Sequence, residues 1–92
     1  MLNIVTSKKF HRDLSLAMRR GFDMDLLDNV VMMLANEEKL PAKYHDHSLT
    51  GEYKDFRECH IKPDWLLVYR IDDDDLELYL FRTGSHSDIF RK

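Results

Sequence analysis

The sequence predicts an α+β domain, two helices packed on one face of a mainly antiparallel sheet. Three observations carry this. Apolar residues recur at helical spacing between Phe10 and Leu34. From Tyr53 onward the pattern changes to short runs rich in β-branched and aromatic residues, separated by turn residues. The 92 residues leave room for one core, so 1–92 is read as a single domain.

The elements follow in order. Leu2 to Val5 is a short apolar start, an edge strand. Thr6 or Ser7 caps a helix that begins at Lys8 and carries Phe10, Leu14, Ala17 and Met18 on its apolar face. Gly21 stops it. Asp23 caps a second helix, with Met24, Leu27, Val30, Val31 and Leu34 inward, ending near Glu38 ahead of Pro41. The methionines Met18, Met24, Met32 and Met33 are read as core. Pro41 to Gly51 reads as a loop. A three-stranded meander then runs through Lys54–Ile61, Trp65–Ile71 and Leu76–Arg82, with turns at Lys62-Pro63-Asp64 and Asp72–Asp75. Gly84 breaks the last strand, and Ser85 to Phe90 is a loose tail with one helical turn.

The net charge is −3 and the sequence pI near 5.9, which argues against tight, indiscriminate binding of free nucleic acid. The charge is uneven. Residues 1–22 hold five Lys/Arg and one Asp, net +4; residues 23–50 hold two basic and six acidic residues, net −4. Arg57, Arg82, Arg91, Lys92 and the first helix are placed to form local basic surfaces. Cys59 is the single cysteine, so no internal disulfide forms, and a cytoplasmic protein is expected. Met1 to Phe10 has no apolar core of a signal peptide, and no apolar run approaches the ~20 residues of a membrane span.

Strand alternation puts Glu58 and His60 on one face, with Arg57, Cys59 and Ile61 on the helix side. His60, Asp64, Arg82 and His86 then converge at one end of the open face, with His47 arriving from the preceding loop. This set suits cleavage of RNA through its own 2′-hydroxyl, which needs a base, an acid and a cation for the phosphorane. Histidine serves as acid or base near neutral pH, Asp as base or as the group that orients a histidine, and Arg holds phosphate oxygens. Trp65 or Phe90 is a candidate for stacking on an unpaired base. His45 and His47 form an H-x-H pair of the kind seen in metal sites. No cysteine or carboxylate set completes a ligand group beside them in the sequence, so neither metal nor cofactor is expected. Cys59 is read as a core residue rather than a nucleophile.

Three ordered blocks carry a resemblance: Tyr44-His45-Asp46-His47-Ser48-Leu49-Thr50-Gly51, Arg57-Glu58-Cys59-His60-Ile61-Lys62-Pro63-Asp64-Trp65, and Arg82-Thr83-Gly84-Ser85-His86 with Phe90. Together they resemble the YafQ branch of the RelE/ParE superfamily of bacterial toxins. The resemblance implies a RelE-like, microbial-RNase-like fold and a toxin of a type II toxin–antitoxin system. It implies a ribosome-dependent, metal-independent mRNA endoribonuclease. It also implies a cognate DinJ-like antitoxin of ribbon-helix-helix type, through which alone the toxin would meet operator DNA. The family's functional positions fall on His47, His60, Asp64, Arg82, His86 and Phe90. His86 is implied as general acid, Asp64 or His60 as base, and Arg82 as stabiliser of the transition state. His47 supports the phosphate or the base, while Trp65, Phe90 and Arg57 help hold RNA. The rival reading is a ParE-like toxin of the same fold that inhibits DNA gyrase without cutting RNA, a mode that needs no acid–base residues.

Overall fold

The computed structural model describes residues 1–90; Arg91 and Lys92, offered above as basic surface, lie outside the described residues. The elements are β1 (Asn3–Thr6), α1 (Lys8–Arg19), α2 (Met24–Ala35), β2 (His47–Ser48), β3 (Arg57–Lys62), β4 (Trp65–Asp72), β5 (Glu77–Gly84) and α3 (His86–Phe90). The strands form one sheet in the order β1-β5-β4-β3-β2. The α+β class stands, but the expected meander is the middle of a five-stranded mixed sheet. β1 runs parallel to β5, with Asn3 opposite Glu77 and Thr6 opposite Leu80.

The helices start where their caps predict. Ser7 Oγ accepts the Phe10 N–H at 2.9 Å, and it also donates to the Phe81 carbonyl at 2.6 Å, fastening the start of α1 to β5. Gly21, with φ +78, turns the chain, and Asp23 accepts the Asp25 N–H to open α2. α2 ends at Ala35, three residues short of the expected Glu38, because Glu37 takes a left-handed conformation with φ +60. Two of the methionines read as core are exposed: Met18 at 58% and Met32 at 43%. Their unbranched side chains fit the helical pattern but lie at the margin of the stripe.

The region read as a loop is more structured than expected. It holds 3₁₀ turns at Ala42–Tyr44 and Gly51–Tyr53, and β2 pairs antiparallel with β3, setting His47 opposite Glu58.

The sheet has a core on each face. On the helix side Leu27, Val30, Val31 and Leu34 pack on Cys59, Leu67, Tyr69, Leu78 and Leu80. On the other side Leu66 and Val68 pack with Ile89, flanked by Leu49, Phe56, Phe81 and Phe90. The tail is therefore a docked helix with Ile89 buried, not a loose segment.

A β-bulge in β5 decides where the site forms. Opposite β4, the pairing passes from Val68–Arg82 to Tyr69–Leu80, leaving Phe81 as the extra residue. Strict alternation from Leu78 and Leu80 would turn Arg82 toward the helices. The bulge returns it to the face of Val68, whose other neighbour is Glu58. His47, Glu58, Val68 and Arg82 thus form one row across four strands, and His60, Leu66 and Gly84 form the next.

Candidate active site

The site is built on these two rows and on α3. Glu58 is its buried centre, with a side chain only 8% exposed in the middle of β3. Its Oε1 lies 3.1 Å from His47 Nε2 and 3.6 Å from His60 Nε2, and its Oε2 is buried with no hydrogen-bond partner. His47 also donates from Nδ1 to the His45 carbonyl at 2.8 Å, which fixes its ring between loop and strand. The rings of His45, His47 and His86 stand 5.6, 6.4 and 5.6 Å from that of His60.

Asp64, in the β3–β4 turn, reaches across to α3. Its Oδ1 accepts the His86 backbone N–H at 3.0 Å and contacts His86 Nδ1 at 2.7 Å. The backbone bond first, and the ring second, hold the Asp64 carboxyl below its usual range. The segment around His86 is itself fastened. Asp88 accepts the Ser85 N–H at 2.9 Å while its own N–H donates to Ser85 Oγ at 3.1 Å, a reciprocal capping box. Arg20, at the end of α1, pairs with Asp88 at 2.7 Å and draws its carboxyl down to about 2. Gly84, with φ +149, lies against this box; a Cβ there would meet Asp88 Oδ2 at 3.0 Å.

His47, His60, Asp64 and His86 are brought together as expected. Arg82 shares their face, but its guanidinium is engaged: Nε and Nη2 donate to Asp13 at 2.7 and 3.1 Å. Phe90 is half-buried against the Leu66, Val68 and Ile89 cluster, edge-on to Tyr53 at 5.5 Å.

Two expected contacts are not where an RNA would meet them. Trp65 is 3% exposed, its ring against Phe22 at 4.9 Å and its indole N–H given to Thr83 Oγ1 at 2.9 Å. It packs the helix-side core and has no free face for a base. Arg57 lies on the helix-side face of β3 beside Cys59. Its guanidinium donates to Ser48 Oγ at 2.7 Å and to Asp46 at 3.1 Å. The Tyr69 hydroxyl donates to the same Asp46. That clamp holds the His45–His47 segment from behind. Cys59 is fully buried and its thiol is pushed up to about 12 by burial, as suits a core residue.

The metal question also moves. Glu58 is remote from His45 and His47 in sequence, but the β2–β3 pairing brings it beside His47. The donors that converge closely are Glu58, His60 and His86, each offering one ligand atom within 4.8 Å of the others. Two imidazoles and one oxygen of the Glu58 carboxyl, whose Oε2 is otherwise unpartnered, fit a divalent transition metal. Glu58 and Asp13 are the two residues that the sequence reading left out of the site. The signals were a carboxylate two residues from His60 on the same strand face, and a lone acid among the five cations of residues 1–22.

A cleft of about 670 Å³ opens beside the cluster, lined by Tyr44, His45, His47, His60, Lys62 and Pro63 among others. Residues 2–91 match the family described as the bacterial toxin of type II toxin–antitoxin system, YafQ. The chain belongs to the YafQ family. It is 38% identical over 89 residues to the mRNA interferase toxin YafQ of Escherichia coli strain K12, covering 96% of this chain and 95% of that protein. A crystal structure of a metal-bound toxin from Helicobacter pylori superposes with a TM-score of 0.93 at 56% identity, covering 98% of this chain and all of that one. A chain of the E. coli DinJ–YafQ complex superposes with a TM-score of 0.89 at 37% identity, covering 98% of this chain and 99% of that one. The YafQ fold is thus shared over 98% of the chain.

Proposed function

We propose that this YafQ-family chain is an mRNA interferase, a ribosome-dependent endoribonuclease that uses the 2′-hydroxyl of its substrate as nucleophile and requires no metal. The observation that carries the reading is a pair of imidazoles set beside two different carboxyl groups. His60 stands beside Glu58 at 3.6 Å, and His86 beside Asp64 at 2.7 Å, with 5.6 Å between the two ring centroids. The name of the E. coli relative supports the same substrate.

In this mechanism His60 takes the proton of the 2′-hydroxyl as its oxygen attacks phosphorus. The P–O5′ bond breaks, and His86 delivers a proton from Nε2 to the departing 5′ oxygen. The products are a 2′,3′-cyclic phosphate and a 5′-hydroxyl. Asp64 is occupied in holding His86 Nδ1, which leaves His60 the base of the two candidates. Arg82 donates to a non-bridging oxygen of the phosphorane. His47 shares Glu58 with His60 and supports the base. Phe90 borders the RNA, while Trp65 and Arg57 act through the scaffold. When bound at Glu58, His60 and His86, a metal would supply a Lewis acid where the proposed reaction needs two proton-transfer groups.

The partner is a cognate antitoxin, as in the DinJ–YafQ complex, of ribbon-helix-helix type and the toxin's sole route to operator DNA. The net charge of −3 fits a toxin that takes its message from the ribosome, in the cytoplasm, rather than from free RNA.

The test is to mix the purified chain with ribosomes programmed with mRNA in the presence of chelator and to map the new 5′ ends. Cuts in ribosome-bound message that end in 2′,3′-cyclic phosphate, and that vanish in His86→Ala and His60→Ala, are expected. Absence of new ends together with inhibited gyrase supercoiling would replace this reading with the ParE-like one.

A further inference from the structure

Arg82 cannot meet a phosphate in the way a free arginine does. A guanidinium has five N–H donors. The Nε–H and one Nη2–H go to Asp13 at 2.7 and 3.1 Å, and Nη2 also reaches the Asp88 carbonyl at 3.4 Å. The Nε/Nη2 edge, the one that grips carboxylates and phosphates side-on, is therefore taken. Nη1 has no partner among the described residues. Asp13 is itself held, because its Oδ2 also accepts the Thr83 backbone N–H at 3.1 Å. Both side chains are largely buried, Arg82 at 17% exposure and Asp13 at 12%.

We infer that Asp13, on α1, is a positioning residue for the cleavage reaction: it fixes the Arg82 guanidinium so that Nη1 alone is presented to the scissile phosphate. The inference rests on the role given to Arg82 above. It adds where that cation is set and by what.

The topology explains why α1 supplies this group. β1 covers the edge of β5 only as far as Leu80. Beyond it α1 takes over the edge, with Ser7 on the Phe81 carbonyl and Asp13 on the Thr83 N–H. The bulge at Phe81 then turns Arg82 within reach of the same carboxylate. The ion pair has consequences for binding as well as geometry. A neutralised guanidinium offers directed N–H donors with little net attraction for RNA at large. Freed from Asp13 it would gain rotational freedom and an uncompensated charge together. Loss of aim lowers the rate, because misplacement of a catalytic group by about 1 Å can cost roughly 10²-fold. Unmasked charge does the opposite to binding.

The experiment compares Asp13→Asn, Asp13→Glu, Arg82→Ala and the Asp13→Asn/Arg82→Ala double variant in single-turnover cleavage of ribosome-bound mRNA. Affinity for a 2′-O-methyl RNA that cannot be cut is measured in parallel. Asp13→Asn should lower the saturating rate about tenfold or more, with affinity for the uncleavable RNA unchanged or higher. Asp13→Glu, which keeps the charge on a longer arm, should recover part of the rate. The double variant should be no slower than Arg82→Ala alone, since one residue acts through the other. A wild-type rate in Asp13→Asn overturns the inference, and so do losses that multiply in the double variant. A wild-type rate in Arg82→Ala overturns the role given to Arg82, and the inference with it, while cleavage itself still stands. Asp13→Asn also weakens the Thr83 bond, so rates are compared well below each variant's Tm; a loss confined to the melting range counts as overturning.

Discussion

Asp64 Oδ1 holds His86 twice, through the backbone N–H at 3.0 Å and through ring Nδ1 at 2.7 Å. A carboxylate only accepts, so Nδ1 carries a proton and Nε2 is the atom turned outward, the one that bears the second proton of the imidazolium when His86 acts as acid. The same residue that places the ring thus selects its tautomer.

Asp64→Ala should therefore misorient His86 rather than unfold the protein, since Asp64 is 71% exposed. A loss of roughly 10²-fold or more in cleavage rate is expected, with Tm nearly unchanged. Nitrogen-15 spectra of the imidazole should show the Nδ1–H form in the parent and its loss in the variant. The pH dependence follows from the depressed Asp64 carboxyl. Its hold on His86 is complete above the ordinary carboxylate range near ~3.9 and is lost as pH falls through the lower folded value. Acid that carries the pH below that lowered value should thus free the His86 backbone N–H, read as faster exchange of that amide relative to its intrinsic rate.

Trp65 should prove a stability residue. Trp65→Ala removes a buried ring and is expected to cost about 3–5 kcal/mol, measured by urea unfolding. Trp65→Phe keeps most of the packing against Phe22 but leaves Thr83 Oγ1 without its indole donor. It should cost about 1 kcal/mol and retain cleavage. A folded, stable Trp65→Phe with abolished RNA cleavage would return Trp65 to the substrate.

The Ser85–Asp88 box should set the acid limit of α3. Asp88 has a folded value of about 2, depressed by Arg20, so its contribution is whole above the ordinary carboxylate range and disappears as pH drops toward 2. Ser85→Ala should cost about 1 kcal/mol, as for other helix caps. Gly84→Ala should act on the same place by pushing a Cβ onto Asp88. In both variants the amides of 86–90 should exchange faster with solvent, while those of α2 stay protected.

A divalent metal should silence the proposed reaction. Glu58, His60 and His86 would each give it a ligand atom, and two of these are the proposed base and acid. Zinc is expected to abolish cleavage and excess chelator to restore it. Glu58→Ala should weaken zinc binding, followed by calorimetry. Zinc-stimulated cleavage would reverse the assignment of the two histidines as proton carriers.

What could be read from the sequence was local in origin. The helix starts are written in Ser7 and Asp23, whose side chains bond two or three residues ahead. The hairpins are marked by Pro63 and by the Asp72 turn, where Asp72 caps the Asp74 and Asp75 N–H groups. His60, Asp64 and His86 are brought together by strand alternation and the neighbouring turn and tail, with His47 from the preceding loop, and the sheet assembles them. What escaped depends on distant partners. β2 has two residues and exists only because β3 lies beside it. The face of Arg82 depends on a bulge that alternation does not foresee, and Trp65 is buried by Phe22 and Thr83, from other parts of the chain. Glu58 was seen on the face of His60, but its role as the shared centre needs His47 from another strand.

The pairing of β1 with β5 bears on how the protein acquires its activity. Asp13 and Arg82 are 69 residues apart, and the paired residues of the strands that align them are farther apart still along the chain. Contacts that close such long loops form late and slowly, after helices and hairpins that need only their neighbours. A chain with both helices and the β3–β4–β5 hairpins in place still has Arg82 unheld until α1 docks on the edge of β5. In refolding, cleavage should return with the slowest structural phase and not before it. Completion of the fold and onset of toxicity are then a single kinetic step.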